Sequence, residues 1–218
     1  YKQDLFFTPL IVIESEDLTT NSTASTALKK QDGNYNNLEI DYSFLYDKRD
    51  RTFRPTDGYY SRFNQILPLL SNDYSLSNKF DYKTYHKISE NMVSNVSFYL
   101  AAINSLDGSD VRVSDRSYLS SRKLRGFEGG KIGPKDNQDF IGGNYASAVS
   151  LSTTLPTLLP ELESVDFNIF LDAGNVWGVD YDSNLDNSKL RSSTGISIDW
   201  LTPIGPLNFV IAQPITKA

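Results

Sequence analysis

Val165-Asp-Phe-Asn-Ile-Phe-Leu-Asp-Ala-Gly174 alternates along its length. Val165, Phe167, Ile169 and Leu171 fall on one face of an extended chain. Asp166, Asn168, Phe170 and Asp172 fall on the other. A period of two marks a strand with two unlike faces. The same pattern recurs on both sides of this stretch. Leu38, Ile40, Tyr42, Phe44 and Tyr46 oppose Glu39, Asp41 and Ser43. Tyr59, Ser61, Phe63, Gln65 and Leu67 line one face of the next strand. Alternation returns at Phe80–Thr84, Val96–Ala102, Tyr145–Leu151, Ile196–Trp200 and Leu207–Ile211. With a less regular strand near residues 4–13, this gives about nine strands of about 9–12 residues each.

The connections sort into two kinds. Arg51–Gly58, Leu155–Glu163 and Thr202–Pro206 are short and carry Pro or Gly. Glu14–Asn37, Ser105–Gly143 and Gly178–Leu190 are long and polar. Long and short connections alternate, as in an up-and-down barrel with one short-turn rim and one long-loop rim. A soluble β-sandwich would have shorter strands and less regular loops. Trp177 and Trp200 fall at strand ends, where an interfacial aromatic girdle would place them. The expected fold is all-β: a transmembrane antiparallel barrel.

Composition agrees. The chain has 13 Tyr and 12 Phe against one Met, which favours strands and turns. At 39% hydrophobic it looks like an ordinary soluble protein, which does not exclude a barrel whose lipid-facing and lumen-facing residues alternate. No apolar run approaches the ~18 residues of a membrane helix. There is no Cys, hence no disulfide or thiolate chemistry. A net charge of −6 with scattered basic residues argues against nucleic acid as a partner. His86 is the single histidine, it lies in a strand, and no Gly-x-Ser-x-Gly elbow accompanies it. Zinc lacks ligands. Asp180-Tyr-Asp-Ser-Asn-Leu-Asp186 begins like a calcium loop, but its sixth and twelfth positions are Leu185 and Arg191. Gly129-Gly130 and Gly142-Gly143 precede no helix, so neither is a phosphate cradle. No enzyme, cofactor or metal site is expected.

One pair of motifs stands apart. Lys123-Leu-Arg-Gly-Phe127 lies in a polar, Gly-rich loop, and Phe170-Leu-Asp-Ala-Gly174 lies in a strand. A loop arginine and a distant strand aspartate suggest a latch that ties a loop onto a sheet.

Five blocks, in order, resemble the barrel of BamA-type outer-membrane assembly factors, the bacterial surface antigen family. They are Tyr46–Gly58; Leu124–Phe127 with Ile132-Gly133-Pro134; Gly142-Gly143-Asn144; Phe170–Gly174; and Trp200–Leu207 with Ala212-Gln213-Pro214. The mitochondrial sorting-and-assembly barrel belongs to the same superfamily. The resemblance implies that 105–143 is a long extracellular loop folded into the lumen. Arg125-Gly126-Phe127 would be its tip, and Arg125 would pair with Asp172. Phe170 would stack on the guanidinium, and Gly126 and Gly174 would permit close approach. Gly133, Pro134, Gly142, Gly143 and Asn144 would support the motif. The family's Gly pair before the loop motif is replaced here by Ser120-Ser121.

The family barrel has sixteen strands, N-terminal periplasmic repeats and a last strand with an aromatic end. The resemblance therefore implies that 1–218 is a partial barrel, from about the seventh strand to the fifteenth, without those repeats. It also implies a place in the bacterial outer membrane, with the lipid bilayer, unfolded outer-membrane β-barrel proteins, accessory lipoproteins and periplasmic chaperones as partners. The implied function is folding and inserting other barrels, with substrate strands adding at a weak seam between first and last strands. Charge exchange between Arg125 and Asp172 would then restore some function. Rival readings are a translocation-and-assembly barrel, a two-partner secretion pore, an outer-membrane barrel phospholipase and a soluble β-sandwich adhesin.

Overall fold

The structure, a computed structural model, describes residues 4–72, 74–155, 164–186 and 189–216. The ends at Tyr1 and Ala218 and most of the turn Leu155–Glu163 lie outside the described residues. Nine strands form one antiparallel sheet: β1 (Leu5–Leu18), β2 (Gly33–Asp47), β3 (Gly58–Ser71), β4 (Ser75–Ser89), β5 (Met92–Ser105), β8 (Tyr145–Thr154), β9 (Val165–Trp177), β10 (Arg191–Thr202) and β11 (Gly205–Pro214). They pair in chain order. A short helix α1 (Thr26–Lys29) lies between β1 and β2. A two-residue hairpin, β6 (Lys135–Asp136) and β7 (Asp139–Phe140), lies between β5 and β8.

The sheet has two chemically distinct faces. On the outward one, cross-strand register builds the row Phe7, Phe44, Phe63, Phe80 and Leu100 over five successive strands. Ile169, Ile196 and Ile211 form another. Phe7 and Phe44 rings lie 4.8 Å apart, and Tyr59, Tyr82 and Phe98 continue the aromatic contacts. Leu171 is 47% exposed and Ile211 79% exposed. Water-soluble monomers rarely expose so large a continuous apolar face, whereas a barrel wall does so against lipid. The inward face carries Asp81, Lys83, Ser97, Ser150, Asn168 and Asp199, and one long segment lies on it. Together these are the all-β fold of a membrane barrel, here a nine-stranded open portion of its wall.

Trp177 ends β9 at the long-loop rim, and Trp200 pairs with Val165 at the opposite end of the same strand. At ~3.3 Å per residue the 13-residue β9 spans about 40 Å. A tilt of about 45° reduces that to about 30 Å, the thickness of a bilayer's hydrocarbon core.

Six of the nine sheet strands run to 13–15 residues, longer than the about 9–12 expected, and the β1–β2 boundary moves furthest. β1 runs on to Leu18 and β2 starts at Gly33, so the connection between them is 19–32 rather than Glu14–Asn37. Their rim halves are polar on both faces, so the backbone ladder Glu14↔Asn37 to Leu18↔Gly33 carries the pairing without any alternation to announce it. β3 and β4 are joined by 72–74 alone, one short connection on the long-loop rim.

The core sits between the inward face and the segment 106–144. Leu119, Leu124 and Ile132 from that segment pack on Ala101, Ala146, Ala148 and Val176, with Tyr99 and Phe127 at the edge. Leu119 and Leu124 are fully buried, each contributing about 1.5–3 kcal/mol. Alanines on β5 and β8 leave the depth that these leucines fill.

Leu171 lies midway along β9 on the outward face. Leu171→Arg is expected to cost about 2–4 kcal/mol of folding stability in lipid vesicles. A urea titration of the full-length protein measures it; a change within about 0.5 kcal/mol would mean the face meets water.

Candidate functional site

The site is built around a carboxylate in the inward face. β9 lies between β8 and β10, and register sets Ser150 and Ser193 beside Asp172. Asp172 is 1% exposed. A buried anion needs donors, and two short hydroxyl side chains leave space for them to arrive from above. Arg125 of the loop fills that space. Its Nε donates to Asp172 Oδ2 at 2.7 Å and its Nη2 to Oδ1 at 2.7 Å. The backbone N–H of Arg125 also donates to Oδ2, at 3.1 Å. Nη2 reaches Ser150 Oγ at 2.9 Å, and the hydroxyl of Ser193 donates to the carbonyl of Arg125.

Phe170 lies two residues away on the same face, with Ser152 and Gly195 as its cross-strand neighbours. The guanidinium Cζ stands 3.5 Å from the Phe170 ring centroid, a cation–π contact. Gly195 makes this possible: a Cβ there would meet Phe170 Cζ at 2.8 Å. Gly126 has φ +85°, and its open Cα lets the loop lie against Ala212 and Ser193. Phe127 packs at the edge of the core beside Leu124. Gly174 lies under Leu119. Lys123 pairs with Asp81 of β4 and stands 4.2 Å from the Tyr99 ring centroid. The loop tip therefore touches strands from β4 to β11, which requires a concave sheet.

Gly133, Pro134, Gly142, Gly143 and Asn144 lie elsewhere. They belong to the loop's return into β8. Gly133 packs against Val176, and Pro134 O accepts from Ile141 N–H at 3.2 Å. Gly143 exchanges backbone bonds with Ser117, and Asn144 N–H donates to Gly178 O at 2.9 Å. Near them the three long connections join in a cap with its own apolar centre of Ala24, Leu28, Ile141 and Val179. Ser25 and Tyr181 both donate to Asp136, at 2.5 and 2.8 Å. Arg112 bridges Glu16 and Asp115, and Arg116 pairs with Asp180. The carboxylates of the calcium-like stretch are turned apart. Asp180 serves Val111 and Arg116, Asp182 caps Asn184, and Asp186 accepts from Gly178. His86 lies exposed in β4.

Ser150, Ser193, Gly195 and Lys123–Asp81 were not singled out from the sequence. The available signal was the run of small inward residues on β8 and β10, which is legible only once register is known. Both Asp172 oxygens accept from Arg125.

Removing one partner of such a buried pair costs about 3–5 kcal/mol. Arg125→Ala and Asp172→Ala are therefore each expected to raise amide exchange across 124–127 by on the order of 100- to 1,000-fold. Hydrogen-exchange mass spectrometry of the full-length protein measures this, and unchanged protection would contradict the pairing. At the cap, burial foremost and then the hydrogen bond to Asp136 push the Tyr181 phenol above its usual value. A raised phenol stabilises the fold below the unfolded value of about 10 and ceases to do so as pH rises through the folded one. The absorbance difference between wild type and Tyr181→Phe should show one tyrosine titrating above pH 10; titration at the usual value would contradict this.

The model of the Omp85 superfamily domain matches residues 11–218. BamA of Neorickettsia risticii is 28% identical over 82% of this chain and 25% of its own length. A SAM50-like protein of Schizosaccharomyces pombe is 32% identical over 89% of this chain and 44% of its own. The crystal structure of Haemophilus ducreyi BamA lacking POTRA domains 1–3 superposes with a TM-score of 0.78 at 28% identity, covering 85% of this chain and 40% of that one. The chain thus spans less than half the length of these relatives. With a two-faced sheet, an inward loop and a match over nearly its whole length, the chain belongs to the Omp85 superfamily, in which it corresponds to the C-terminal barrel portion of BamA-type proteins.

Proposed function

We propose that this chain is part of the membrane barrel of an outer-membrane protein assembly factor, which folds and inserts other β-barrel proteins. The buried Arg125–Asp172–Phe170 set, on the face opposite an apolar wall, carries the reading. In it, residues 105–143 are an extracellular loop folded into the lumen. The latch Arg125, Gly126, Phe127, Phe170, Asp172 and Gly174 holds that loop at fixed depth. The outward face meets the bilayer. The partners are unfolded outer-membrane barrels, with accessory lipoproteins and periplasmic chaperones delivering them. The work is positional: no bond in the substrate is made or broken, and no cofactor or metal is required. The bacterial outer membrane is the location on this reading. The similarity to the SAM50-like protein over most of this chain favours a second one, a sorting-and-assembly barrel of a eukaryotic outer membrane.

The test is insertion by the complete protein in lipid vesicles. A urea-unfolded outer-membrane barrel is diluted into vesicles, and its folded fraction is followed by heat-modifiable migration. The full-length protein is expected to speed folding on the order of tenfold over empty vesicles, a barrier change of ~1.4 kcal/mol. Arg125→Ala is expected to remove most of that gain. No acceleration by the wild type would contradict the function, and full activity in Arg125→Ala would contradict the latch's part in it.

A further inference from the structure

The connection between β2 and β3, residues 48–57, turns inward at the short-turn rim. Lys48 N–H donates to Tyr59 O at 2.8 Å, where the two strands end. Arg49 then lies over the inward-facing Tyr60, 4.9 Å from the ring centroid. Asp50 closes the turn by accepting from Thr56 N–H at 2.9 Å, Thr56 Oγ1 at 2.7 Å and Asp57 N–H at 3.2 Å. These donors, the Thr56 hydroxyl foremost, hold its carboxyl down at about 2. Arg54 has φ +48°, a left-handed conformation that a non-glycine residue keeps only where its surroundings hold it.

From there Arg54 reaches β9. Its Nε donates to Asp166 Oδ2 at 2.6 Å, and its Nη2 bonds the other carboxylate oxygen. β4, β5 and β8 lie between β3 and β9. Four strand spacings in a flat sheet would put them about 19 Å apart, beyond one side chain. The contact is therefore a chord across the concave face. Unlike Asp172, both partners are wet, with side chains 36% and 27% exposed. Water screens such a pair, so it is far easier to open than the buried latch.

We propose that residues 48–57 are a releasable strap that narrows the lumen's mouth at the short-turn rim, with Arg54–Asp166 as its catch. The existence of a lumen rests on the barrel reading, while the contact itself does not.

The test uses the full-length protein with Asp166→Asn, and with the exchange Arg54→Asp/Asp166→Arg. Trypsin cleavage after Arg51 reports whether the turn is held; Arg54 precedes Pro55 and is not cut. Conductance in a planar bilayer reports the width of the path. In Asp166→Asn, cleavage is expected to rise about fivefold, as fits a half-exposed ion pair, and conductance is expected to rise with it. The exchange variant should bring both back toward wild type. Unchanged cleavage would overturn the strap. Faster cleavage at unchanged conductance would overturn the narrowing. Loss of heat-modifiable migration in both variants would mean that the pair only stabilises the fold, and would also overturn the proposal. Absence of heat-modifiable migration in the wild type would instead overturn the barrel reading, and the cleavage result would still decide the contact.

Discussion

A carboxylate taken out of water must be met by donors or stay protonated, and Asp172 is met from outside its own sheet. Its neighbours on β8 and β10 are serines, whose hydroxyls carry no charge to neutralise it. The cation comes from Arg125, on a segment that leaves the sheet after β5 and rejoins it at β8. That single requirement draws the loop tip down onto the inward face. The positions around it are cut to the same demand: Ser150 and Ser193 beside the carboxylate, Gly195 beneath Phe170, and alanines under Leu119 and Leu124. A larger side chain at Ser150 or Ser193 would crowd Arg125, and a Cβ at Gly195 would meet the Ile211 carbonyl oxygen of β11 as well as the Phe170 ring.

The loop in turn organises the long-loop rim. Its stem carries Arg112 and Arg116, which reach the rim end of β1 and the β9–β10 connection, and its hairpin carries Asp136, which takes hydrogen bonds from the β1–β2 and β9–β10 connections. Three polar segments that could each be mobile thereby share one small apolar centre. The outward face depends on none of this. Its rows of Phe, Leu and Ile follow from register and alternation, and lipid supplies what a second layer of protein would supply in a soluble fold. A wall defined by the solvent around it leaves the interior free for polar contacts.

The fold was largely legible. Alternation at Val165–Leu171 and at Leu38–Tyr46 located the strands and assigned their faces, because a half-buried strand in lipid repeats every two residues. Legibility failed where that cause stopped. Glu14–Leu18 and Gly33–Asn37 lie beyond the apolar band, so nothing in their composition separates strand from loop. In the site, the residues from Arg125 to Phe127 and from Phe170 to Gly174 were named from sequence, and they lie together. Gly133, Pro134, Gly142, Gly143 and Asn144 lie at the loop's return and not at its tip. Ser150, Ser193 and Gly195 escaped notice because small inward residues acquire meaning only through what stands above them. The reach of Arg54 to Asp166 escaped for the same reason, since nothing local in either stretch records the curvature that brings them together.

The most direct test is a double-mutant cycle for Arg125→Met and Asp172→Leu in the full-length protein, read as folding free energy in lipid vesicles. If the buried pair ties the loop, each single variant strands one buried partner, and the double variant recovers much of the loss by replacing both. A coupling of at least about 1.5 kcal/mol is predicted, with the double variant more stable than either single one. Losses that add within about 0.5 kcal/mol would mean that the two residues do not sense each other, and would contradict the account at its centre.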